Sequence, residues 1–371
     1  MSRDPVVAVT AGDPCGIGPE VILKALRAAR AGSRVRFVVI GDLAVFERLA
    51  RRLHLPLPAW QVRVSTDRRP WTSRLTFLDC RHRGRFLPGH SSAAAGQASL
   101  DYLQSAVELW RSGRIRALVT GPVTKWAAAK RLPSFIGQTE YLAGATRARD
   151  VVMMFVSDHL RIALLTRHLP LSRVSSVMTP RLLRRTVEVT AQTLTAWFNI
   201  RRPRLAVCGL NPHAGESSAS SEEQTVMRPA LEALRRRGIR CEGPFAADGF
   251  FASPPSYDAV ICPYHDQGLI PFKMLARDRG CQLSAGLPLL RTSPDHGTAL
   301  DIAGRGIANP GSMRYALELA IRLAHRQIVR AGPVAAHPGR PRRAALSASS
   351  APGARGPRAA PPARASIHMP C

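Results

Sequence analysis

Three histidines stand in three separate polar segments, each preceded by a run of β-branched or aliphatic residues. His168 lies in Thr166-Arg167-His168-Leu169-Pro170, after Ile162 to Leu165. His213 lies in Asn211-Pro212-His213-Ala214-Gly215-Glu216, after Leu205 to Leu210, and His265 in Pro263-Tyr264-His265-Asp266-Gln267-Gly268, after Ala259 to Ile261. Ligands gather at strand ends in open α/β sheets, so three imidazoles delivered there suggest one shared divalent metal. Imidazole suits zinc and its neighbours, and three protein ligands with an open fourth position describe a catalytic site. Each histidine alone is better read as a loop residue bonded to backbone; together, with the Asn, Asp and Gly beside them, they favour the metal.

The segments that must position these residues alternate. Val6 to Thr10 reads as a buried strand, followed by a glycine-containing loop and a helix from Val21 to Ala29. Pro19 suits the first helical turn and Glu20 complements its positive end. Gly12, Gly16 and Gly18 do not have dinucleotide-fingerprint spacing, and no Walker lysine follows. Strands are expected at Arg34 to Gly41, Ala117 to Thr120, Val151 to Phe155, Arg161 to Leu165, Leu205 to Leu210 and Ala259 to Ile261. Helices are expected at Leu43 to Leu53, Ser99 to Ser112, Pro180 to Phe198, Glu222 to Arg237 and Ser312 to Val329. Such alternation implies an α/β fold with mostly parallel sheets.

At 371 residues the chain can form two domains, since single cores rarely grow past about 250–300 residues. Ala331 to Cys371 is built from Ala, Pro, Arg, Gly and Ser and is expected to be a disordered, catalytically dispensable tail. Seven scattered cysteines without a C-x-x-C pair indicate neither a disulfide framework nor a cysteine zinc site, so a reducing, cytoplasmic setting is expected. No apolar run approaches the ~18 residues of a membrane span. The net charge of +28 invites a polyanion partner, but the tail supplies six of the arginines and the rest are scattered. Aromatics are only 6% and do not interleave with the charges, which argues against nucleic acid. His54, His82, His90, His159, His325, His337 and His368 lack convergent context and are assigned to the surface.

Several blocks occur in a familiar order: Gly12-Asp13-Pro14, Gly16-Ile17-Gly18-Pro19-Glu20, Thr120-Gly121-Pro122-Val123, Gly137-Gln138-Thr139-Glu140, His168-Leu169-Pro170-Leu171, Gly209 to Glu216, Tyr264 to Gly268, Gly286-Leu287-Pro288 and Arg291 to Ala299. Over about Val6 to Val329 the chain resembles the 4-hydroxythreonine-4-phosphate dehydrogenase family of pyridoxal phosphate biosynthesis. More distantly, Gly16 to Glu20 and His296 to Pro310 resemble isopropylmalate and isocitrate dehydrogenases. The resemblance implies a two-domain isopropylmalate-dehydrogenase-like fold with an interdomain cleft. Residues 1–127 plus 290–330 would form the cofactor side, 128–289 the metal, substrate and dimerisation side, and 331–371 the tail.

The resemblance also implies NAD- (or NADP-) dependent and divalent-metal-dependent oxidation of 4-hydroxythreonine 4-phosphate, followed by decarboxylation, in a homodimer that shares its metal site. The metal (zinc, magnesium or cobalt) would be held by His168, His213 and His265. Substrate would be met by Gln138, Thr139, Lys273, Gln282 and Arg291, with Asp266 and Lys273 in catalytic roles. His296, Gly297, Thr298, Asp301 and Asn309 would meet the cofactor. Asp266 is read as orienting an imidazole, accepting a proton or capping a turn; Arg291 as a substrate cation or a structural ion pair; Lys273 as part of a hydrophobic loop. Gln138 and Gln282 depart from the family's usual His and Asn. A glutamine cannot carry charge or exchange a proton near neutral pH, which motivates an alternative substrate, a phosphorylated sugar acid such as threonate or erythronate 4-phosphate.

Overall fold

A computed structural model describes residues 4–29, 34–64, 67, 69–216, 218–252 and 256–331. The expected tail falls outside the described residues beyond position 331. In chain order the strands are β1 (Val6–Thr10), β2 (Arg36–Gly41), β3 (Gln61–Val64), β4 (Leu75–Asp79), β5 (Ala117–Thr120), β6 (Val152–Ser157), β7 (Arg161–Leu164), β8 (Leu205–Cys208), β9 (Cys241–Phe245), β10 (Ala259–Cys262), β11 (Gly280–Ala285) and β12 (Leu290–Ser293). The helices are α1 (Gly18–Ala29), α2 (Leu43–Arg52), α3 (Ala93–Arg111), α4 (Lys125–Ala129), α5 (Gln138–Thr146), α6 (Val174–Val177), α7 (Pro180–Phe198), α8 (Arg228–Arg236), α9 (Ala247–Ala252), α10 (His265–Ala276) and α11 (Gly311–Ala331).

The strands form one sheet in the order β3-β4-β2-β1-β5-β12-β11-β6-β7-β10-β8-β9. Neighbours from β3 to β12 are parallel, as are those from β7 to β9. Between these two parallel blocks, β11 runs antiparallel to both β12 and β6, and β6 antiparallel to β7. The chain is therefore α/β and mostly parallel, as the alternation implies. Strands covered on both faces read as continuous apolar runs, and β1 (Val-Val-Ala-Val-Thr) is buried at every position.

Local chemistry sets the helix ends. Ser92 caps α3 by accepting from the Ala95 N–H at 3.2 Å, and Thr179 caps α7 through the Leu182 N–H at 3.1 Å. Two expectations need correction. Helix α3 starts at Ala93 rather than Ser99, because the Ser92 cap starts it where Ala-Ala-Ala-Gly shows no apolar periodicity. The segment around His265 is not simply a loop: His265 is the first residue of α10, which continues through Pro271. Lys273 therefore belongs to a helix, and its side chain is exposed.

One core cluster runs through both parallel blocks, from Val7 and Phe77 to Leu205 and Leu323. A second cluster, including Phe155, Ile162, Phe250 and Phe272, packs α9 and α10 onto β6, β7 and β10. A cleft of about 480 Å³ at the start of β8 is lined by Arg201, Arg202, Arg237 and Arg240. It adjoins the C-terminal ends of α7 and α8, where helix dipoles favour cations, so this part of the positive charge has a local explanation.

Candidate active site

Strand β12 places Arg291 between β5 and β11, where its side chain is 3% exposed. Its guanidinium donates to Thr120 Oγ1 from Nε (3.1 Å) and Nη2 (2.7 Å), to Ser284 Oγ at 2.9 Å and to Thr139 Oγ1 at 3.3 Å. All four bonds go to hydroxyls, so the reading of Arg291 as a structural ion pair is set aside. Burial lowers its pKa to about 10, which leaves it protonated at neutral pH. Its hydrogen bonds all go to neutral oxygens, and the nearest opposing charge, Glu140, is already paired with Arg167, so the buried cation is only partly offset. Its planar fork suits a carboxylate or phosphate.

The other expected substrate residues gather at the same place. Helix α5 opens with Gln138 and Thr139. Gln138 Nε2 donates to the Gly121 carbonyl at 2.9 Å, while its Oε1 is buried without a partner. Gln282, on β11, donates to Thr139 Oγ1 at 3.4 Å and accepts from Ser293 Oγ at 3.1 Å. Thr120, Ser284 and Ser293 escaped the sequence reading. For Ser284 the signal was the alternation of polar Gln282 and Ser284 with apolar Leu283 and Ala285 in β11. Lys273 does not join this cluster within one chain; it stands on the exposed side of α10 with Ile270 and Met274.

The histidines divide. His168 follows β7 and His265 opens α10, and their ring centroids lie 5.7 Å apart. With metal–nitrogen distances of about 2.1 Å, that spacing lets both rings serve one ion. His265 Nδ1 lies 2.7 Å from Asp266 Oδ1, so the carboxylate fixes Nδ1–H and leaves Nε2 as a ligand lone pair. Burial, then the charges of Lys125, His265 and Arg167, depress the pKa of His168; a metal-binding imidazole must be neutral. Arg167 pairs with Glu140 of α5 at 2.9 Å, tying the histidine segment to the helix that carries Gln138 and Thr139.

His213 does not complete the set: among the described residues no three His, Cys, Asp or Glu side chains form a metal-sized group. It sits exposed in a tight turn at φ 52°. Buried Glu223 holds that turn, accepting the Leu210 and Asn211 N–H groups at 2.7 Å each and Asn211 Nδ2 at 2.9 Å. Gln267 of α10 donates to the Gly209 carbonyl at 2.7 Å, linking the His213 turn to the helix that begins at His265. Glu223 was missed because it lies ten residues from the histidine it positions.

The segment 296–309 packs on the opening loop. Buried Glu20 accepts from the Ala308 N–H at 3.0 Å and the Gly306 N–H at 3.3 Å. Lys24 donates to Glu20 at 2.7 Å and to the carbonyls of Gly306 and Ala308 at 2.8 and 2.9 Å. The Ile17 N–H donates to the Thr298 carbonyl at 2.9 Å. A Cβ on Gly12 (φ +75°) would lie 2.3 Å from the Pro122 carbonyl oxygen, and one on Gly121 2.4 Å from that of Ala11. These glycines let the loops touch. His296 keeps a buried, unpartnered Nε2, Gly297 and Asp301 are exposed, and Asn309 Oδ1 accepts from Gly311 N at the start of α11.

Residues 33–320 match the family model described as "Pyridoxal phosphate biosynthetic protein PdxA". The chain belongs to this family. A 4-hydroxythreonine-4-phosphate dehydrogenase of Desulforapulum autotrophicum is 40% identical over 326 residues, covering 85% of this chain and 94% of that protein. A D-threonate 4-phosphate dehydrogenase of Cupriavidus necator is also 40% identical, over 87% of this chain and 98% of its own length. The crystal structure of the 4-hydroxythreonine-4-phosphate dehydrogenase of Klebsiella pneumoniae superimposes with a TM-score of 0.75 at 32% identity, covering 86% of this chain and all of that one. As a member of the PdxA family the chain is an oxidoreductase of the dehydrogenase class acting on a CH–OH group.

Proposed function

We propose that this PdxA-family enzyme oxidises the secondary alcohol of 4-hydroxythreonine 4-phosphate with NAD or NADP and one divalent ion. The β-keto acid formed then loses CO2 to give 3-amino-2-oxopropyl phosphate. The observation that carries this reading is Arg291: a buried guanidinium among hydroxyls calls for an anionic ligand, and the substrate's phosphate or carboxylate supplies it. Thr139 and Gln282 hold the same anion's surroundings. Gln138 Oε1 accepts from a substrate hydroxyl or ammonium.

His168 and His265 fit a divalent ion, with His213 of the partner subunit as the third ligand; zinc, magnesium and cobalt are the candidates. Bound there, such an ion would lower the pKa of the substrate hydroxyl and stabilise the charge left on oxygen. Asp266 holds the His265 tautomer. Lys273, about two turns along α10 from His265, reaches substrate or the departing proton across the subunit boundary. Exposed Ile270 and Met274 beside it, with Ile136 and Leu171 nearby in sequence to the site segments, support a homodimer. His296, Gly297, Thr298, Asp301 and Asn309 receive the dinucleotide. In this reading residues 1–127 with 290–330 form the cofactor domain and 128–289 the metal, substrate and dimer domain. A cytoplasmic location is supported by buried free thiols. Among the described residues no helix is long and apolar enough to cross a membrane.

The test is to supply purified enzyme with dinucleotide, divalent metal and 4-hydroxythreonine 4-phosphate while following reduced dinucleotide. Absence of reduction overturns the substrate; undiminished turnover after chelation overturns the metal. The second reading, a threonate or erythronate 4-phosphate substrate, draws on the neutral, unpartnered Gln138 carbonyl and on the name of the C. necator relative. Running those acids in parallel separates the two.

A further inference from the structure

His82 is half-buried rather than a surface residue, and it lies between two carboxylates. Its Nδ1 is 3.0 Å from Asp42 Oδ2 and its Nε2 2.8 Å from Asp101 Oδ2. Its backbone N–H donates to Asp42 Oδ1 at 2.7 Å, and buried Tyr102 donates its hydroxyl to Asp42 Oδ2. Asp42 precedes α2, Asp101 and Tyr102 belong to α3, and His82 is the third residue of the segment 80–92 that joins β4 to α3. One imidazole thus joins three parts of the fold. Arg81, next to it in sequence, pairs with Asp79. Hydrogen bonding to Asp42 raises the pKa of His82 to about 9, against the opposing effect of burial and with a further contribution from Asp101.

The segment His82 anchors runs under the proposed dinucleotide loop. The Gly89 N–H donates to the Cys15 carbonyl at 2.8 Å, and Ser91 Oγ donates to Asp13 Oδ2 at 2.5 Å. A Cβ on Gly304 would lie 2.8 Å from Pro88 Cβ, and one on Gly89 3.1 Å from the Leu300 carbonyl oxygen. The far end of α2 reaches the same place, with Leu53 3.3 Å from a Cβ on Gly306. Displacing either 80–92 or α2 therefore displaces residues 300–306.

We propose that His82 is a positioning residue for dinucleotide binding: by clamping the 80–92 segment between α2 and α3, it fixes the surface on which residues 300–306 rest. The inference depends on reading 296–309 as the dinucleotide loop. It needs no contact between His82 and the ligand. The clamp is charged, so its contribution is full below the free-imidazole pKa of about 6.5 and is lost as pH rises through about 9.

The experiment measures the Kd for NADH by fluorescence in the metal-loaded, full-length enzyme and in His82→Ala, His82→Gln and Asp301→Ala. His82→Ala and His82→Gln are expected to weaken NADH about fivefold or more while kcat at saturating dinucleotide stays within about twofold. The wild-type Kd should climb between pH 7 and pH 9.5, and that of His82→Gln should stay flat. Thermal unfolding checks that each variant is folded at the assay temperature. If Asp301→Ala weakens NADH but both His82 variants bind normally, the positioning role is wrong and the loop reading stands. If Asp301→Ala leaves the Kd unchanged, the loop reading falls and takes the inference with it. A loss of kcat in the His82 variants at unchanged Kd, or parallel pH profiles for wild type and His82→Gln, also overturns it.

Discussion

The two chemical regions of this enzyme are built to different degrees of completion. Around Arg291, four segments of one chain (β5, the start of α5, β11 and β12) enclose a guanidinium and satisfy it with hydroxyls. Around the histidines, one chain brings together only His168 and His265 and leaves His213 exposed on its own turn. A buried charge is costly unless its donors are engaged, and one chain supplies the four hydroxyl bonds that hold Arg291. The exposed side chain of His213 bears no such demand. Under the dimer proposal, the contrast separates what folding assembles from what association would assemble.

The largest test of that contrast is Arg291→Ala, which should lower kcat/KM about a thousandfold, or roughly 4 kcal/mol, by removing the charge-assisted anion contact. Arg291→Lys should recover only part of this, because a lysine lacks the planar fork. His213→Ala should be comparably inactive for a different reason, and the two inactive proteins should complement. After unfolding and equimolar refolding together, half the dimers are mixed and each carries one intact site, so about a quarter of wild-type activity should return. No recovery would mean that one chain supplies both groups to a site.

Asp266→Asn should lower metal affinity about 10–100-fold by releasing the His265 tautomer, read as metal content after dialysis against graded chelator. The smallest effect is expected from Glu223→Gln, which keeps an acceptor for the Leu210 and Asn211 N–H groups. Metal affinity should fall only about two- to fivefold at unchanged NADH affinity, since hydrogen bonds to a charged acceptor are worth somewhat more than neutral ones. A change in NADH affinity there would show the two regions to be less separable than the geometry says.

Much of the architecture was legible because buried strands write themselves as apolar runs: β1, β2, β5, β6, β7, β8 and β10 fall where those runs lie. The strands left unread, β3, β4, β9, β11 and β12, are short or carry polar side chains, and β11 and β12 carry the candidate site. Helix α10 was read as a loop because it opens with His-Asp-Gln-Gly and contains Pro271, both of which mimic a turn. Gln138, Thr139, Gln282 and Arg291 were legible through family resemblance, and the structure gathers them. Ser284, Glu223 and His82 were not, and Thr120 and Glu20 were quoted without their partners. Each acts on a partner brought near by the topology, and single-chain spacing holds no trace of such a pairing.

The position of β12 in the sheet has a consequence for synthesis. Its partner β5 ends at Thr120, yet β12 begins at Leu290. As the chain leaves the ribosome, one side of β5 stays an open template until about 170 further residues have followed it. The hydroxyl cluster around Arg291, whose guanidinium arrives on that late strand, is among the last parts of the molecule to come into being.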